Sequence, residues 1–225
     1  MNTDKYRKAF NELSKRSVLV GFLKEMVFRF AKIDIENHGK GHIVSSVWGG
    51  QNKIVIKKGA VLKKPTILIR GNNNYIEFGE NVRIDKHCSF YLIGNNTKIV
   101  IGQGTSLNVS CHFMNREDNS EIHVGENCMF SYGITLRTSD SHPIFDIETG
   151  ERINYAKSIM IGDHVWIASN VTVLKGVTIG DGSVVGANSI VTKDVPCNSL
   201  SVGMPNRIVK SNIRWRDNFD ETGNR

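Results

Sequence analysis

The sequence predicts an all-β fold, a solenoid of stacked coils in which each coil is a triangle of short strands and corners. Three observations carry that prediction. First, a six-residue beat runs from Ser158 to Val191: Ile161-Gly162, Val165-Trp166-Ile167, Val171, Val173, Val177, Ile179-Gly180, Val185-Gly186 and Ile190-Val191. Second, coils started at Lys53, Tyr75, Lys98, Glu121, Ser158 and Gly176 align in columns. One column is Ile54, Ile76, Ile99, Ile122, Ile159 and Val177; another is Ile56, Phe78, Ile101, Val124, Ile161 and Ile179; a third is Leu62, Ile84, Leu107, Phe130, Ile167 and Val185. Units this small bury their apolar face only by stacking on one another, and β-branched residues at alternate positions suit short strands. Third, Gly79, Gly102, Gly125, Gly162 and Gly180 each follow a strand, with Lys57 in their place in the first of these coils, and the reading expects the positive φ that a tight corner needs.

The elements follow in order. In residues 1–35, Leu19, Phe22, Leu23, Met26, Val27 and Phe30 recur at helical spacing, with Lys24, Glu25 and Arg29 on other faces. Residues 1–50 therefore read as a helical segment that caps the open end of the solenoid, the alternative being an interfacial helix that holds the protein at a membrane-bound assembly. Residues 51–209 form the coils. The coil from Ser158 takes 18 residues, three hexapeptides, whereas earlier coils take 22 or 23 and are expected to bulge at a corner. The step from Glu121 to Ser158 takes 37, so residues 138–157 must leave the wall as a projecting loop, the place on a rigid scaffold where function concentrates. Residues 210–225 are polar and read as a helix or loose tail.

Composition bounds the partners. A hydrophobic content of 40% is ordinary for a soluble domain, and a net charge of +7 favours an anionic partner. No basic run, aromatic-basic motif or zinc spacing supports nucleic acid. The polar N-terminus and its interrupted apolar stretch read as no signal peptide, so a cytoplasmic location is expected. Cys88 and Cys111 share a column with Ile134 and Val171, which makes them small core residues rather than a disulfide framework.

Chemistry concentrates at two residues. His142, in Ser139-Asp140-Ser141-His142-Pro143, lies in the projecting loop. A histidine titrates near neutral pH and beside an alcohol can take its proton as the oxygen attacks a carbonyl; a solvated loop histidine is the plain alternative. Trp166 comes one position before a core residue and so points outward, expected beside the loop, where it would wall an acyl site or pack between subunits.

Gly162-Asp163-His164-Val165-Trp166-Ile167-Ala168-Ser169, Val177 to Gly182, Gly186 to Pro196 and Gly203-Met204-Pro205 resemble the signature of hexapeptide-repeat acyltransferases. The resemblance covers about residues 50 to 210, and His142 with Trp166 is most similar to the bacterial capsule O-acetyltransferases, polysialic acid type included. It implies a left-handed parallel β-helix, a homotrimer with active sites between subunits, acetyl-CoA as co-substrate with no metal, and a surface-glycan acceptor. It further implies His142 as general base with Trp166 as companion, and Ala168, Ser169, Gly186 and Ala187 lining the pantetheine arm. Thr192, Lys193 and Arg207 would meet the nucleotide phosphates, and Asn108 would bind acceptor. Asp140 or a backbone carbonyl would orient the imidazole. No reactive cysteine or serine elbow is present, so direct transfer is implied.

Other readings stay open. Acetylation of a small sugar, an antibiotic or the amine of a nucleotide-linked sugar uses the same scaffold, although residues 1–50 are too short for the nucleotide-binding domain of the last. A zinc hydratase needs three converging histidines, and His87, His112, His123, His142 and His164 fall at scattered coil positions.

Overall fold

Each coil lays one strand on each of three faces, and each strand pairs in parallel with its counterpart one coil on. The computed structural model describes residues 33–217. The first face is a seven-stranded parallel sheet running from Ile33–Asn37 to Thr178–Ile179. The second and third faces form one 14-stranded sheet, because Lys40–Trp48 and Val61–Arg70 run through both without a break.

The predicted columns are the observed register. Ile54, Ile76, Ile99, Ile122 and Ile159 are successive pairing partners, as are Leu62, Ile84, Leu107, Phe130, Ile167 and Val185. A one-residue slip would turn these apolar sets outward, so the burial pattern itself fixes the register. Phe78, Phe90, Phe113 and Phe130 fill the prism; their rings contact in sequence at 5.0, 5.0 and 6.1 Å between centroids.

Four expectations are corrected. The solenoid does not start at 51, since residues 33–48 already belong to it. The strands Ile33–Asn37 and Lys40–Trp48 pair with the next coil, and their hexapeptide beat is faint because most of their described side chains are exposed and need not be apolar. The helical reading of the segment before residue 33 lies outside the described residues. The 22- and 23-residue coils spend their extra length on third-face strands of five residues, Ser89–Ile93 and His112–Arg116, and on the corners that follow. Those corners are closed by a side-chain ladder in which Asn95 Oδ1 accepts from the Asn72 amide at 2.9 Å and Asp118 Oδ1 from the Asn95 amide at 2.8 Å.

The glycine column has ordinary φ. The left-handed residues come two positions later: Asn81, Gly104, Asn127, His164 and Gly182. What requires glycine is the next coil, since a Cβ on Gly102 would lie 2.4 Å from the Gly125 carbonyl oxygen and one on Gly180 2.5 Å from the Cys197 nitrogen. Finally, the chain from Arg207 to Ser211 is a strand antiparallel to Ser199–Val202, and Trp215 beyond it is buried, so the described part of the predicted helix or loose tail, residues 210–217, is docked.

All four cysteines are free thiols. Cys88 and Cys111 are buried and donate to the carbonyls of Asn108 and Ser131, at 3.1 and 3.2 Å. Burial pushes the Cys128 thiol up to about 11.

Candidate active site

The projecting loop leaves at the corner between the third and first faces. Its exit is set by a buried polar knot, for Asn115 falls in the core column of Ile69 and Leu92. Asn115 Nδ2 donates to the carbonyls of Lys98 and Ser120 at 2.9 and 3.0 Å, and its Oδ1 accepts from Ser120 Oγ and Thr138 Oγ1 at 2.6 and 3.1 Å. Every polar atom of the amide is satisfied, as burial demands. The Lys157 amide then donates to the Thr138 carbonyl at 2.9 Å and closes the loop at its base.

Within the loop, Asn154 holds the segment that carries His142. Its side chain donates to the His142 carbonyl at 2.8 Å and to Asp140 Oδ2 at 2.9 Å, and accepts from the Ile144 amide at 2.6 Å. Asp140 also takes Lys175 Nζ at 2.5 Å, and these contacts hold its carboxyl below the usual range, lysine first. Asp140 therefore braces the loop against the wall and makes no bond to the imidazole. Glu117 receives Arg152 Nη2 at 2.7 Å and the Ser139 hydroxyl, and the guanidinium is the main reason its carboxyl is lowered. A cavity of about 160 Å³ between loop and wall is lined by Arg137, Ser139, Asp140, Leu174 and Lys175.

His142 itself is exposed, with its ring engaged by no hydrogen bond among the described residues. Beyond it the loop turns as a hairpin, Phe145 bridging Arg152, and presents Ile144, Phe145, Ile147, Ile153 and Tyr155 to solvent, Ile147 at 98%. Apart from Arg152 over the Tyr155 ring, at 4.8 Å, these side chains are exposed among the described residues, an uncommon apolar display for a loop tip.

Trp166 points outward, as predicted, but not beside the loop. It lies on the second face, opposite the corner from which the loop leaves, in a column between Met129 and Val184. Its ring neighbour is Trp215. One chain does not bring His142 and Trp166 together.

The small residues do converge. Asn108, Ser131, Ala168 and Gly186 occupy one position at the corner between the second and third faces, each amide bonded to the coil above. Ser169 and Ala187 follow them at the same corner, and Asn108 stands two coils, about 10 Å, from Ala168. Thr192, Lys193 and Arg207 are exposed at the C-terminal end, where the buried Asn206 ties them: its Oδ1 accepts from the Thr192 and Lys193 amides at 2.8 and 3.3 Å. Lys193 and Arg207 make no ion pair among the described residues, and Lys193 follows the third-face strand Ile190–Val191, one coil on from Lys175. Sequence reasoning missed Asn115, Glu117, Arg152, Asn154, Lys175, Asn206 and Trp215. Of these only Trp215, an aromatic in a polar tail, left a readable signal.

Residues 158–193 match the family described as bacterial transferase hexapeptide (six repeats). A stretch of 89 residues is 54% identical to a polysialic acid O-acetyltransferase of Escherichia coli O1:K1 / APEC, covering 40% of this chain and 29% of that relative's length. The chain thus spans less than a third of that curated relative. Among solved structures, that of the polySia-specific acetyltransferase NeuO is 34% identical with a TM-score of 0.72, covering 84% of each chain. That of the polysialic acid O-acetyltransferase OatWY is 30% identical with a TM-score of 0.61, covering 81% of this chain and 94% of the other. The chain belongs to the hexapeptide-repeat acyltransferase family, and its coils are those of the left-handed parallel β-helix.

Proposed function

We propose that this chain is an acetyl-CoA-dependent O-acetyltransferase that modifies a sugar hydroxyl of an acidic surface polysaccharide of the polysialic acid type. The observation that carries the proposal is the likeness to the polySia-specific acetyltransferase along 84% of both chains.

The residues present fit the donor. Ala168, Ser169, Gly186 and Ala187 put only small side chains along one corner, which lets a pantetheine arm approach the main chain closely. Lys193 and Arg207, exposed at the C-terminal end of the solenoid, supply cations for phosphates. Acetyl-CoA brings an activated thioester. The acceptor hydroxyl attacks the thioester carbonyl while an imidazole nitrogen of His142 takes its proton. The resulting tetrahedral oxyanion collapses, the carbon–sulfur bond breaks, and the imidazolium returns the proton to the departing CoA sulfur. Acetyl moves directly to oxygen, and His142 ends as it began.

Because Trp166 lies on the face opposite the loop, the reading assembles the site from two copies, His142 of one meeting Trp166 of the next in a homotrimer. The apolar loop tip supports this, since a neighbour's face would cover it. The charge of +7 suits an anionic polymer and keeps the protein near its acceptor in the cytoplasm, by peripheral contact with the capsule machinery at the membrane.

Free CoA released from acetyl-CoA is the test, measured with polysialic acid, neutral capsule polymers, free sialic acid, galactosides and amino-sugar nucleotides. Release stimulated by the acidic polymer alone is expected. Stimulation by a small sugar or by an amine would replace the proposal with acetylation of that acceptor.

A further inference from the structure

The C-terminal segment does more than end the solenoid. From the strand Arg207–Ser211 the chain turns at Asn212, and the Ile213 amide donates to the Asn198 carbonyl at 2.9 Å. It then runs back along the corner between the first and second faces and buries Trp215 to 8% exposure. The indole lies flat on the His164 imidazole, with centroids 4.1 Å apart and planes within 4°. Its Nε1–H donates to the His164 carbonyl at 2.8 Å, and the His164 Nε2 meets the Trp215 carbonyl at 3.3 Å. His164 can serve as this platform because its φ of 52° turns the corner and sends the ring outward, two residues before Trp166.

The same indole stands 6.0 Å from the Trp166 ring at 45°, a tilted aromatic contact. Met129 and Val184 confine Trp166 along the stacking direction of the column. Towards the corner its ring neighbour among the described residues is Trp215, and the residue remains 38% exposed. An outward tryptophan with only column neighbours has several staggered rotamers to choose from; a rigid indole beside it removes some of them. We propose that Trp215 is a positioning residue that fixes the Trp166 ring in the orientation the acyl-transfer site uses. This rests on the reading of Trp166 as a wall of that site.

The experiment is a double-mutant cycle on the full-length protein, with kcat and KM for acetyl-CoA and acceptor measured well below each variant's Tm. Trp215→Ala is expected to lower kcat roughly tenfold while KM for acetyl-CoA changes by less than about twofold, since a small misplacement near reacting groups costs rate. Trp215→Phe still stacks on His164 and should recover most of that loss. Trp166→Ala combined with Trp215→Ala should be no slower than Trp166→Ala alone, because residues acting through one group do not add. Losses that multiply in the double variant, or a Trp215→Ala enzyme at full kcat, would overturn the proposal while leaving Trp166 in the site. A Trp166→Ala enzyme at full rate would overturn the parent reading, and the positioning role with it.

Discussion

The two halves of the solenoid are built from the same columns and put to different uses. From Asn52 to Ser120 the third-face strands are five residues long, the corners after them are closed by asparagine and aspartate ladders, and the interior is filled by phenylalanine rings. From Ser158 onward the coil is shorter, most strands have two or three residues, and valine and isoleucine fill the interior. At the corner between the second and third faces the first half carries Lys63, Asp85 and Asn108. In the second half the same column holds Ala168 and Gly186, followed by Ser169 and Ala187, and the side chains there are small. If the proposed site is right, the contrast teaches that a repeat fold gains a site by subtraction, through shorter coils and smaller corner residues, with one loop added where the two halves meet.

The sharpest way to break this division is to truncate the wide half. Phe113→Ala removes a ring packed between Phe90 and Phe130 and should cost about 3–5 kcal/mol, read from denaturant unfolding. Protein that remains folded should keep most of its turnover, since Phe113 lies wholly in the core and makes no part of the proposed site. The loop should respond in the opposite way. His142→Ala is expected to lower kcat by about a hundredfold or more, with acetyl-CoA binding and Tm nearly unchanged, as for a lost general base. Unchanged turnover would remove His142 from the mechanism.

Between these extremes stands the frame of the loop. Asn154→Ala frees the His142 carbonyl, Asp140 and the Ile144 amide at once, so it should cost about 1–3 kcal/mol of stability for the partners it orphans. Turnover should fall as well, by less than in His142→Ala. Acid should loosen the same frame. The carboxyls of Glu117 and Asp140 are held below their ordinary values, by Arg152 and Lys175 respectively. Their contribution is therefore complete above the unfolded carboxylate pKa of about 4 and is lost as pH falls through the lower folded values. The acid limb of a Tm against pH curve should be shallower in Glu117→Gln than in the native protein. The smallest effect belongs to the ladder: Asn95→Ala leaves exposed amides that water can satisfy and should change stability by no more than about 1 kcal/mol.

How much of this was legible depended on whether a residue repeats. Ile54, Leu62 and their successors declare their register because each recurs in every coil, and the 37-residue step from Glu121 to Ser158 declares the loop because the beat is interrupted. His142 and the small corner residues were readable against that pattern. Asn115 and Asn154 were not, since a buried amide that satisfies several partners looks in sequence like any loop asparagine. The glycine column was legible as a column and misread in cause, because close approach of the next coil and a left-handed φ demand the same residue. The position of Trp166 relative to the loop was also misread. Sequence gives the face on which a residue falls, whereas the corner from which a loop leaves follows from where the coils close.

That separation is what the account most depends on, and mixing two inactive variants tests it directly. His142→Ala chains co-expressed with Trp166→Ala chains should regain activity that neither has alone, up to about a quarter of native if each site takes its histidine from one copy and its tryptophan from the next in a closed ring. Mixed assemblies with no more activity than either variant would contradict it, placing both residues of each site in a single chain.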